Sequence, residues 1–151
     1  MRLAVALCCV AAPFVPGAGA QDAASPGAID EASAVECALD AAHPAAQVLE
    51  HGDYLLRYRF VPEELSVNKA VTLLGRLCRR DGEAFSGTIR SDATMPAHGH
   101  GMNYRTTVTV RQGGHFEASG FLLHMPGEWA FTIRVSENGS ASTLSIVRQV
   151  R

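Results

Sequence analysis

The chain has 151 residues, enough for one domain and too few for two comfortable ones. Hydrophobic residues make up 47% and charged residues 19%, a balance that supports a packed core and excludes wholesale disorder. The formal net charge of -2 offers no basic face, which sets nucleic acid aside as a partner.

Residues 1–20 have the make-up of a secretory signal peptide. Arg2 is a minimal positive start, Leu3 to Val15 is apolar, and Ala18, Gly19 and Ala20 supply a small-x-small cleavage site before Gln21. Pro13 and Pro16 interrupt the apolar run, which falls short of the ~20 residues that a membrane span requires. No later stretch is apolar enough to span a bilayer, so the mature chain is expected to be secreted, into the periplasm, with no retained span. Cleavage removes Cys8 and Cys9 and leaves Cys37 and Cys78. An even pair in an oxidising compartment predicts a disulfide, closing a loop of roughly 40 residues and contributing ~4 kcal/mol in the chain-entropy model. Its functional rival is a pair of copper-transferring thiols, which usually lie close together in sequence.

Residues 21–50 read as a leader containing a short helix. Ile29, Ala32, Val35 and Leu39 recur at helical spacing, and His43 with Pro44 ends the run. Residues 51–151 read as the main domain, where the period changes to two. Leu56, Tyr58 and Phe60 alternate with Leu55, Arg57 and Arg59. A second strand from about Val67 to Arg80 places Val71, Leu73 and Leu77 on one face and Cys78 on the other. A third, Gly87 to Met95, places Ile89, Ala93 and Met95 together. Tyr104 to Arg111, Phe116 to His124, Glu128 to Ser136 and Ser142 to Val150 complete about seven strands, separated by turn residues at 81–82, 112–114, 126–127 and 137–139. The expected fold is an all-β, immunoglobulin-like antiparallel sandwich with a short N-terminal helix.

Two short stretches hold the soft and imidazole side chains. MPAHGHGM spans Met95 to Met102 and HMPG spans His124 to Gly127. Between them they contain every methionine other than the initiator and three of the six histidines. If the first stretch is extended, period two sets His98, His100 and Met102 on one face. A sandwich could then bring His124 and Met125 to the same end. Thioether sulfur is soft, and a mixed Met/His set suits copper, Cu(I) above all, whereas zinc sites favour Cys, His and carboxylate. No Asp or Glu lies between Met95 and Met102, which counts against calcium and magnesium.

Each residue also has a plain structural explanation. Met95 lies on the apolar face of its strand and Met125 precedes a proline turn, so packing competes with ligation at both. His98 and His100 flank a glycine and have little packing reason to be there, and an exposed Met102 has equally little. His124 is open to the role of a satisfied buried histidine. His43, His51 and His115 stand alone and read as solvated.

The segment from about Tyr54 to Val135 resembles the YtkA-like domain family, related to the FixH-type proteins, which are small secreted or membrane-anchored bacterial β-sandwiches. The residues carrying the resemblance are MPAHGHGM at 95–102, GHFEASG at 114–120 and FLLHMPGEW at 121–129. The resemblance implies an immunoglobulin-like fold and a part in copper handling or respiratory-oxidase assembly. The chain departs from FixH-type proteins in having no expected transmembrane helix after cleavage.

Two functions follow from these readings. The first is a periplasmic copper-binding protein that holds or transfers the ion through His98, His100, Met102 and His124, with Met95 and Met125 as further ligands. Its partner would be a periplasmic or membrane-bound copper-accepting protein. The second is a metal-free immunoglobulin-like interaction module, since the fold hosts many functions. No Ser/His/Asp set, carboxylate pair or phosphate-binding glycine loop is recognisable, so the chain is not read as an enzyme.

Overall fold

The structure is a computed structural model and describes Cys37 and residues 46–151. The expected signal peptide and the expected helix over 29–42, Cys37 apart, lie outside the described residues. Among the described residues, nine strands follow one another: β1 (Gln47–His51), β2 (Tyr54–Val61), β3 (Ala70–Arg79), β4 (Thr88–Met95), β5 (His100–Gly101), β6 (Thr107–Val110), β7 (His115–Leu122), β8 (Gly127–Glu137) and β9 (Ser140–Val150). The seven anticipated strands are all present. The two additional ones are short: β1 begins ahead of the expected boundary at residue 51, and β5 has two residues.

Every strand pairing is antiparallel, and the strands form a five-stranded sheet in the order β1-β2-β3-β7-β6 and a four-stranded sheet in the order β5-β4-β8-β9. The period-two sequences explain which faces meet. Leu56, Tyr58 and Phe60 of β2, Val71, Leu73 and Leu77 of β3, and Phe116, Ala118 and Phe121 of β7 are buried on one layer. Ile89, Ala93 and Met95 of β4, Trp129, Phe131, Ile133 and Val135 of β8, and Leu144 and Ile146 of β9 are buried on the other. The layers interlock at Phe131, whose ring lies 4.7 Å from that of Phe60 and 5.1 Å from that of Phe121. These are the centroid spacings at which aromatic pairs attract beyond simple area burial.

Chain direction gives the sandwich two distinct ends. At one, the starts of β2 and β4 meet the finishes of β3 and β8. The Cys37–Cys78 disulfide is formed there, with Cα atoms 6.0 Å apart. Beside it the buried carboxylate of Glu137 accepts hydrogen bonds from the Tyr54 hydroxyl (3.0 Å), Arg79 Nη1 (3.1 Å), and the Ser86 amide (2.7 Å) and hydroxyl (3.2 Å). At the other end, the finishes of β4 and β7 meet the start of β8, and the two Met/His stretches lie there. The length of β3 from Ala70 to Cys78 separates the ends by about 25 Å at the usual strand rise.

Candidate metal centre

β4 delivers Met95 to the candidate end, and Pro96 then stops the strand. Proline fixes φ and carries no N–H for a ladder, so the chain enters a single 3-10 turn over Pro96–His98 in place of continuing extended. The turn closes through the Gly99 amide, which donates to the carbonyls of Met95 (3.0 Å) and Pro96 (3.3 Å). Gly99 takes the left-handed conformation, with φ 67°. The chain then doubles back along β4, pairing His100 with Met95 and Gly101 with Thr94, and the Met102 amide donates to the Ala93 carbonyl at 3.2 Å. The extended arrangement expected over His98, His100 and Met102 is therefore corrected: a proline turn and a short hairpin replace it. His98 and His100 still come together, with ring centres 5.7 Å apart.

The second stretch reaches the same place from β7, which ends at Leu122 and leaves His124 and Met125 in the connection to β8. Trp129, the first large inward side chain of β8, is wholly buried, and its Nε1–H donates to the Met125 carbonyl at 3.0 Å. That bond ties the connection down. Gly127 has φ 129°, and a Cβ built there would meet the Met95 Cε at 2.4 Å. The two stretches thus touch at a position whose positive φ favours glycine.

Three imidazoles form a row against the indole. His100 stands between its neighbours, 5.7 Å from His98 and 5.2 Å from His124, the latter pair inclined by only 28°. The rings of His100 and His124 meet Trp129 edge-on at 6.3 Å and 5.6 Å. Exposure falls along the row: His98 is exposed, His100 and His124 are half-buried, and Trp129 is sealed. Met102 and Met125 are half-buried and pack against the core, whereas Met95 is 3% exposed and belongs to the core itself. His51 ends β1 and His115 begins β7, away from this row, and His43 lies outside the described residues.

The chemistry of the row follows from its contacts. His100 Nδ1 lies 3.3 Å from the Gly101 carbonyl, which can only accept, so this contact places the proton on Nδ1 and leaves the Nε2 lone pair available. Two imidazoles that bind one ion through nitrogens ~2 Å from it, at a tetrahedral angle, have ring centres ~5 Å apart. The His100–His124 spacing of 5.2 Å is of that size, but the rings are stacked, 28° from parallel, so shared coordination requires a ring to turn and aim its nitrogen at the ion. Counting His, Cys, Asp and Glu alone, no group of three among the described residues is set to hold an ion. Met102 and Met125, half-buried at the same end, are the soft donors available to join the imidazoles. Sequence reasoning did not assign Trp129 to this site. Its place four residues after Met125, within HMPGEW, was the available signal.

Fold and site together define a small antiparallel β-sandwich with a His/Met row at one end. No protein-family model matches the chain, and no curated protein does. Among solved structures, the crystal structure of a DUF4426 family protein from Pseudomonas aeruginosa PAO1 is similar to it at 15% identity, covering 69% of this chain and 93% of that chain with a TM-score of 0.49. The chain itself is a small β-sandwich of two antiparallel sheets. Among the described residues, no helix is long and apolar enough to cross a membrane.

Proposed function

We propose that the protein is a secreted, periplasmic copper carrier of the YtkA-like kind, a binding protein and not an enzyme, that takes up Cu(I) as cargo and passes it to a copper-accepting partner. The observation that carries the reading is the 5.2 Å approach of His100 and His124, two residues brought together from separate strand connections. Half-buried Met102 and Met125 add soft donors within the same end of the fold. Imidazole with thioether favours Cu(I) over harder ions.

The test is anaerobic competition for Cu(I) between the purified mature domain and a chromogenic chelator. About one equivalent should bind, and the His98→Ala/His100→Ala double variant should bind at least tenfold more weakly, a loss above ~1.4 kcal/mol. Absence of stoichiometric binding by the unmodified domain would sink the reading. Affinity should also fall on acidification, because imidazole nitrogens must shed their protons to coordinate.

A second reading has its own support. The absence of a three-residue His/Cys/Asp/Glu group among the described residues, and the edge-on packing of both imidazoles on Trp129, suit a metal-free interaction module in which the row is an aromatic docking cluster. Partner capture by the unmodified domain in the presence of a strong copper chelator, lost in the double variant, would favour it.

A further inference from the structure

We infer that His98 is the exchange ligand of this site, the group through which the ion enters and leaves, while His100 and His124 hold it at rest. The inference rests on the copper reading above and adds a division of labour to it. His98 is exposed and its ring neighbours His100 alone among the described rings, whereas His100 is shared between His98, His124 and Trp129. His124 and His100 are braced by the sealed indole, and the connection that carries His124 is tied by the Trp129–Met125 hydrogen bond. Among the described residues, nothing comparable braces His98. Its side chain stands on a one-turn 3-10 segment whose closing bonds are made by the backbone of Met95, Pro96 and Gly99.

The consequence is a relay by ligand substitution. An incoming Cu(I), held by two thiolate or thioether donors of a partner, exchanges one of them for His98 and then the other for His100. His124 then displaces His98, and the ion settles between His100 and His124. Copper stays Cu(I) throughout and no electron is transferred. A group that touches the ion only in transit lowers the barrier in both directions equally, so it changes rates without changing the equilibrium.

That property separates His98 from a resting ligand. Cu(I)-loaded protein is mixed anaerobically with a chromogenic Cu(I) chelator in a stopped-flow instrument, and the equilibrium affinity is measured on the same samples. For His98→Ala the transfer rate should fall at least about tenfold while affinity stays within about threefold of the parent. For His100→Ala the affinity itself should fall by at least about tenfold. An unchanged transfer rate in His98→Ala, or an affinity loss equal to that of His100→Ala, overturns the exchange role and leaves the copper reading intact. No copper on the parent protein removes both.

Discussion

Glu137 shows how much a single side chain can organise. It is buried, yet it is charged, and burial alone would raise its carboxyl. The Ser86 amide, the Arg79 guanidinium and the Tyr54 and Ser86 hydroxyls outweigh that effect and hold it below the ordinary glutamate range. A depressed folded-state value makes a stabilising contribution that is complete above the unfolded-state value, near ~4.3, and lost as pH falls through the folded one. Acid should therefore destabilise the parent more steeply than Glu137→Gln between about pH 5 and pH 2, read from chemical-denaturation midpoints across that window. At neutral pH the same variant should be less stable by about 1–3 kcal/mol, because it weakens charge-assisted bonds in a buried setting. The residues of the candidate site obey a different logic. The exposed His98 contributes little to packing, so its replacement should alter ion handling and leave the unfolding midpoint nearly unchanged, whereas His100 and His124 also pack edge-on against Trp129.

At the scale of elements, the β8–β9 hairpin is the clearest case of sequence dictating geometry. Glu137 and Ser140 close a two-residue turn in which Asn138 has φ 51° and Gly139 φ 77°, the pairing that a right-twisted hairpin requires. Gly139→Val should destabilise the protein by about 1–2 kcal/mol through the left-handed backbone penalty, with an unchanged denaturant slope. The β7–β8 connection is held by sterics as well as by hydrogen bonding. Gly127→Ala must displace the Met95 methyl, since its Cβ would lie 2.4 Å from Met95 Cε. This substitution should cost about 1–2 kcal/mol, chiefly through the positive φ of Gly127, and, unlike Gly139→Val, it lies beside the Met/His stretches and should also weaken ion binding. Parallel stability and binding measurements on the two glycine variants check this contrast.

The whole molecule is a sandwich whose two ends do different work. The end with the Cys37–Cys78 bridge and the Glu137 network secures the layers, and the end with the imidazole row carries the proposed copper site. The bridge spans a sequence separation of 41 residues. Replacing both cysteines by serine should lower stability by ~4 kcal/mol in the chain-entropy model. The ends are about 25 Å apart along β3, beyond the range at which substitutions couple strongly, so Cu(I) affinity should be unaffected in that variant. Equal losses of stability and affinity would show the ends to be energetically joined.

Strands β2, β3, β4 and β8, most of the side chains they bury and the pairing of Cys37 with Cys78 were determined by the sequence alone, because period-two alternation and an even cysteine pair are local or compositional signals; buried Leu55, on the face expected to be outward, and buried Glu137 were not. The short β1 and β5 escaped it, since five and two residues carry too little periodicity to register. Sequence also marked the two Met/His stretches as chemically unusual. What it could not determine was their relation. Pro96 turned an expected extended segment into a 3-10 turn, Met95 went to the core, and only the packing of β4 and β7 against β8 set His100 beside His124 and both against Trp129. Distances between residues far apart in a chain depend on how layers stack, and no local pattern of residues contains that information.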